Sequence, residues 1–180
     1  NKHKAVLIID DSEDVRTYLN AILSREYRCI RAINGREGFE IATNILPDAI
    51  ISDVVMPLMD GLQLTRKLRS QDITSHIPII LVSAKGDDDS KMAGLLARAD
   101  DYLIKPFNEK ELILKVRQLI SSRDSQADAY FEKHEEVLAA PNIAEAKMPG
   151  FENERDQRFY TTLLLTTYKH YSEESYSRDV

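Results

Sequence analysis

Asp10-Asp11, Asp53, Ser83 and Lys105 are carboxylates, a hydroxyl and an amine far apart in a chain of 180 residues, yet all sit at the end of a short apolar run: AVLIID, DAIISD, IPIILVSA and DYLIKP. Each has an ordinary use alone, since an acid after a strand often caps a helix, a serine forms turns and a lysine is solvated. Brought together, they are restrictive. Three ionised carboxylates repel one another and coexist when a cation neutralises them. Oxygen donors without His or Cys favour a hard ion such as Mg²⁺. A metal-bound carboxylate beside a lysine and a hydroxyl suits phosphoryl transfer, because the moving group carries oxygens whose charge must be met by cations and donors. In that chemistry Asp53 is the nucleophile, forming an acyl phosphate, while Lys105 and Ser83 hold the other phosphoryl oxygens.

The elements that would bring these residues together are visible as alternating patterns. Five apolar runs, AVLIID, YRCIRAI, DAIISD, IPIILVSA and DYLIKP, have strand length. SEDVRTYLNAILSRE, NGREGFEIATNIL, LQLTRKLRSQD and DSKMAGLLARA lie between them and NEKELILKVRQLISSR follows, all with apolar residues at helical spacing. Asn34 with Glu37 and Asn108 with Glu111 have the spacing of capping boxes. Repeated strand then helix predicts a doubly wound α/β domain, because parallel strands need crossovers and the crossovers are right-handed. Ligands in such sheets collect at the carboxyl ends of the strands, where the candidate residues fall.

Composition excludes several alternatives. The chain is 43% hydrophobic and 30% charged, enough for one proper core. Its longest apolar runs are far short of the roughly 20 residues that a membrane-spanning helix needs. No signal-peptide pattern opens it, so this piece is expected to be cytoplasmic and to make no membrane contact of its own, whether or not its parent is anchored in a membrane. It begins without Met and reads as a piece of something longer. Most of the net charge of −6 falls after residue 125, and no basic stripe suggests nucleic-acid binding. His3, His76, His134 and His170 are scattered without zinc-ligand spacing, and Cys29, inside YRCIRAI, reads as a small core residue.

"VLIIDD", "IISDVVMPLMDG", "ILVSAK" and "ADDYLIKPF", in this order and spacing, make residues 5 to about 123 resemble the receiver domain of two-component response regulators. The resemblance implies a flavodoxin-like sheet of strand order 2-1-3-4-5 and a phosphohistidine in a histidine kinase as donor. It maps Asp10 and Asp11 onto the Mg²⁺-holding pair, Asp53 onto the phosphorylated aspartate and Lys105 onto the family's lysine. Ser83 falls on the switch hydroxyl and Tyr102 on the switch aromatic, and the Val55 main-chain carbonyl would complete the metal shell. Lys105-Pro106 would be cis, as only an X-Pro bond adopts cheaply. Phosphorylation adds charge that draws the serine inward and the aromatic after it, remodelling the face of the fourth helix, fifth strand and fifth helix, a surface for homodimers. A receiver catalyses its own phosphorylation and is not a turnover enzyme on an external substrate.

Two departures and two alternatives qualify the match. Arg98 stands where receivers often place a glycine as left-handed helix cap, so the turn into the fifth strand is expected to differ. Val55 has no polar atom to orient an attacking water, which predicts a phosphorylated state lasting minutes or longer. A haloacid-dehalogenase-type phosphatase also uses an aspartyl phosphate, but its nucleophile is followed two residues later by a second acid, where this chain has Val55. A pseudo-receiver acting only as an interaction module would lack part of the set, and every member is present.

The last third differs in character. Residues 1–123 form the predicted receiver and 124–156 a helical extension and linker, punctuated by Pro141, Pro149 and Gly150. Residues 157–180 carry "RFYTTLLLTTYKHYSEESYSRDV", an amphipathic helix that resembles the lead-in of an AraC-type helix-turn-helix domain. DNA contact would then belong only to the missing C-terminal part of the parent. The receiver's wording, with "RTYLNAILSREYRCIRAINGREG" and "HIPIILVSAK", resembles receivers fused behind sensor histidine kinases in hybrid regulators, which makes transcription the expected output.

Overall fold

The structure, a computed structural model, describes residues 4–84 and 97–133. Its elements run β1 (Ala5–Ile9), α1 (Glu13–Leu23), β2 (Arg28–Ala32), α2 (Gly35–Ile45), β3 (Ala49–Asp53), α3 (Gly61–Arg69), β4 (Ile79–Ser83), β5 (Asp101–Ile104) and α4 (Glu109–Lys133). The helix expected over DSKMAGLLARA lies outside the described residues apart from 97–99, and the reading of 134–180 lies outside them altogether. The chain divides into two compact units, Asn1–Ser121 and Ser122–Val180, and the first contains the whole sheet. No helix among the described residues is long and apolar enough to cross a membrane.

The sheet has the order β2-β1-β3-β4-β5, with every pairing parallel. The inner strands β1, β3 and β4 are buried on both faces and so are apolar at nearly every position, reading as continuous runs, whereas the edge strand β2 exposes Arg28 and Arg31. Alternate strand residues still divide between two cores. Val6, Ile8, Ile51, Ile80 and Leu103 pack with Leu19 and Leu23 of α1 and Leu112 and Val116 of α4. Leu7, Ile9, Ile50, Ile79 and Leu81 pack with Ala42 of α2 and Leu64 and Leu68 of α3. Cys29 packs against the first of these cores, and burial pushes its thiol pKa up.

Helix starts follow the predicted chemistry with two corrections. The Asn34 side chain accepts the Glu37 N–H at 2.9 Å, but the Glu37 carboxylate takes the N–H of Ile33 and not that of its cap. Asn108 accepts from Lys110, not Glu111, at 2.8 Å. The reciprocal capping box is at the head of α3, where Asp60 accepts the Gln63 N–H at 2.6 Å and Gln63 accepts the Asp60 N–H at 3.2 Å.

The turn into β5 keeps a left-handed residue despite the missing glycine: Arg98 has φ 64°. Arg69 holds it there. Its Nε donates to the Arg98 carbonyl at 2.9 Å, its Nη1 to the carbonyls of Ser75 and Ile77, and its Nη2 to Asp100, whose carboxylate also accepts the Ile79 N–H at 2.6 Å. Since the carbonyl contact survives any side-chain change, Arg98→Gly relieves the left-handed strain without losing the clamp. It is expected to stabilise the domain by about 1 kcal/mol, after the extra freedom of glycine in the unfolded chain is set against it, and chemical denaturation will measure it.

Candidate functional site

The carboxyl edge of the sheet gathers the acids because β1 and β3 are adjacent and end level with one another. Asp10, the residue after β1, is almost fully buried and held at four atoms. Its N–H donates to the Ala32 carbonyl at 3.3 Å, and its carbonyl accepts Nη1 of Arg16 at 2.6 Å. Its Oδ1 accepts the Ser12 N–H at 2.9 Å and its Oδ2 the ammonium of Lys105 at 2.9 Å. Asp11 follows it into solvent. Asp53 closes β3, and its Oδ1 accepts the same Lys105 ammonium at 2.8 Å.

Loop packing fixes Asp53 from behind. Its carbonyl accepts the Ser52 hydroxyl at 2.9 Å, and Gly61 is pressed so close that a Cβ there would stand 2.2 Å from the same oxygen. The Gly61 N–H ties the loop back to the Val54 carbonyl at 2.9 Å. Lys105 comes off the end of β5 with its N–H on the Ser83 carbonyl at 2.8 Å, so the hydroxyl-bearing and amine-bearing strand tips are linked through the backbone. Its bond to Pro106 is cis, as the resemblance implied.

One carboxylate oxygen from each of Asp10, Asp11 and Asp53 lies within 4.8 Å of the others. Burial pushes the Asp53 carboxyl pKa up, and the Asp10 charge adds to this, while the Lys105 ammonium and the Val55 N–H oppose it without cancelling it. For Lys105, burial alone would lower the pKa, but the contacts to Asp53 and Asp10 together outweigh it and the net shift is upward. Lys105 is therefore a fixed cation at neutral pH. One ammonium against three close carboxylates leaves an excess of negative charge in a pocket of oxygen donors alone. That charge and donor set fit a divalent hard cation.

The structure thus brings Asp10, Asp11, Asp53 and Lys105 into one cluster, with Ser83 buried one residue beyond the partner of Asp53 in β4. Val55 lies at the mouth, 73% exposed. Tyr102 is half-buried in β5, opposite Leu81, and packs against the core shared with α2 and α3. Sequence reasoning missed Arg16, which is buried beneath Asp10. Its signal was available: Arg16, Leu19, Ile22 and Leu23 form the buried stripe of α1, so an arginine occupies a core-spaced position.

Comparison with known proteins supplies the context. A family model described as the response regulator receiver domain matches residues 6–117. Histidine kinase P4 of Formosa agariphila is 36% identical over 118 residues, 66% of this chain and 9% of that protein. The phosphate regulon transcriptional regulatory protein PhoB of Pseudomonas aeruginosa is 35% identical over 118 residues, 65% of this chain and 52% of that protein. This chain therefore spans about half the length of that regulator and far less of the kinase. The receiver domain of sensor histidine kinase PA1611 from Pseudomonas aeruginosa, solved with magnesium ion coordinated in its active site cleft, superposes with a TM-score of 0.62 at 30% identity, over 66% of this chain and 98% of that one.

Proposed function

This chain belongs to the response regulator receiver domain family, and from that membership we propose that Asp53 accepts a phosphoryl group from the phosphohistidine of a histidine kinase. The observation that carries the proposal is the bridging of Asp10 and Asp53 by one Lys105 ammonium, with Asp11 beside them. A carboxylate oxygen of Asp53 attacks phosphorus, forming an O–P bond as the N–P bond to the donor imidazole breaks, and the imidazole leaves with the electron pair. Burial makes Asp53 the better nucleophile by raising its basicity, and Lys105 keeps it ionised and aimed. Mg²⁺, held by the carboxylates of Asp10, Asp11 and Asp53 and the Val55 carbonyl, would supply positive charge toward the phosphoryl oxygens. Attack by water on the acyl phosphate later returns inorganic phosphate and the free carboxylate.

The readout follows from the same charge. Nearly two negative charges gained at Asp53 attract the Ser83 hydroxyl, and Tyr102 moves into the space it leaves. The face built on β5 and its flanking helices then changes, and that face is the surface we assign to homodimer formation. Output is read as transcription, in a hybrid kinase or a separate regulator. Residues 157–180 are read as an amphipathic segment similar to the lead-in of an AraC-type helix-turn-helix domain, after the 124–156 helical extension and linker, and the location is read as cytoplasmic.

Incubation with Mg²⁺ and a small-molecule phosphodonor, followed by intact-mass measurement, is expected to show a single added phosphoryl group on the wild-type chain. With the exposed Val55 apolar and unable to orient water, the adduct should persist for minutes or longer after the donor is removed. No addition would leave a pseudo-receiver. Decay within a few seconds would refute the role given to Val55 while keeping the acceptor.

A further inference from the structure

We infer that Arg16 is a positioning residue for metal binding: its guanidinium fixes the β1–α1 turn so that Asp10 and Asp11 face the cation together. The inference rests on the phosphoacceptor reading of the site. Three observations support it. The arginine is 6% exposed, and an ionised side chain survives such burial when it is paired and hydrogen-bonded. Nη1 donates at 2.6 Å to the main-chain carbonyl of Asp10, the peptide group that joins the two acids. Nη2 contacts the carboxylate of Glu13, which also lies 3.7 Å from Arg31 on β2.

Geometry assigns the residue its effect. The Asp10–Asp11 peptide can pivot about its neighbours, and a pivot swings the Asp11 carboxylate away from Asp53. Asp11 is exposed and lies just beyond the strand, so the sheet ladder does not restrain it. The Asp10 carbonyl is where a restraint acts, and the Arg16 fork, locked at its other end by Glu13, supplies it. Arg16 also brings a positive charge close to the site, which by itself would oppose a divalent cation. The Glu13 partner offsets that charge. Positioning and repulsion therefore predict opposite signs when Arg16 is removed, and the sign decides between them.

The test is the Mg²⁺ dissociation constant of the full chain by isothermal titration calorimetry, for wild type, Arg16→Met and Arg16→Lys. Methionine keeps the buried stem and loses the donors, and affinity is expected to fall about tenfold, the usual scale for losing a group that orients a metal ligand. Lysine keeps one donor and should recover part of the loss. Arg69→Met, which breaks the clamp on Arg98 and Asp100, is the control for destabilisation alone: it should melt lower while binding Mg²⁺ as wild type does. Raising Mg²⁺ to saturation should restore most of the phosphorylation rate of the Arg16 variants, which a distorted nucleophile would not allow. Affinity unchanged or tightened in folded Arg16→Met overturns the inference. If that variant does not fold, unchanged affinity in Arg16→Lys overturns it. A wild-type chain that takes up no Mg²⁺ overturns the phosphoacceptor reading itself, and the inference with it.

Discussion

Asp53→Asn is expected to lower phosphoryl uptake from a small-molecule donor by at least about a thousandfold without unfolding the domain, because the amide is isosteric but cannot act as the nucleophile. The fold should survive, since the backbone contacts at this position, from the Ser52 hydroxyl to the carbonyl and from Gly61 behind it, do not involve the side chain. Stability carries a second, independent readout. Burial chiefly, with the Asp10 charge, holds the Asp53 pKa above the ordinary carboxylate value, so the folded chain binds a proton there more readily than the unfolded one. In buffer free of divalent cations the wild type therefore gains stability from Asp53 as pH falls through its folded pKa. It lacks that contribution near neutrality. The asparagine variant has no such titration and should melt no lower than wild type at neutral pH, with its relative advantage shrinking as the solution is acidified. Added Mg²⁺ should reverse the order, stabilising the wild type more by mass action on its complete set of carboxylates. Thermal melts across pH, with and without Mg²⁺, measure all of this. A variant that loses uptake yet responds to Mg²⁺ like wild type would remove Asp53 from the proposed ligand set.

The architecture was readable because its controlling signals are local. The inner strands β1, β3 and β4, buried on both faces, require largely apolar runs of five residues, the edge strands β2 and β5 are apolar in part, and helices at 3.6-residue spacing alternate with them. The carboxyl-edge rule then placed Asp10, Asp53, Ser83 and Lys105 on one rim without any knowledge of side-chain contacts. What escaped depends on neighbours distant in sequence. Arg16 was passed over despite its core spacing because arginine on a helix ordinarily faces water, and only the carbonyl of Asp10 and the carboxylate of Glu13 make its burial tolerable. The turn at Arg98 was expected to differ for want of glycine. It does not, because four donations from Arg69 over-determine the backbone around it. Cap partners shifted by one residue for a similar reason: a side chain selects among N–H groups equally near in sequence, and the entry angle of the chain decides.

Gly61→Ala is expected to be the most damaging added methyl among the described glycines of the domain, and comparison with the two others shows why. At Gly38 an added Cβ would meet Cδ1 of Ile9 at 2.4 Å, the far end of a side chain that can rotate aside. The cost there should be about 1 kcal/mol. At Gly35 the obstacle is the Met59 carbonyl at 2.4 Å, which also accepts the Gly35 N–H at 3.2 Å, so relief means moving the β3–α3 loop. At Gly61 the obstacle is the carbonyl of Asp53 at 2.2 Å, with the Val54 Cα at 3.1 Å. Neither atom can rotate away. The Gly61 N–H is bonded to Val54, and the cap of α3 begins one residue earlier, so either the helix head or the end of β3 must shift. A loss of about 3 kcal/mol is expected, at the upper end for overpacking, and denaturant melts of the three alanine variants should rank Gly61 and Gly35 well above Gly38. The chemistry should suffer further in whatever fraction folds. A displacement of the Asp53 main chain by roughly 1 Å misaligns the nucleophile against Lys105, which can cost about a hundredfold in rate. Phosphorylation rates normalised to folded protein test that step, and a Gly61→Ala chain that is phosphorylated at the wild-type rate would show that the strand end does not set the aim of Asp53.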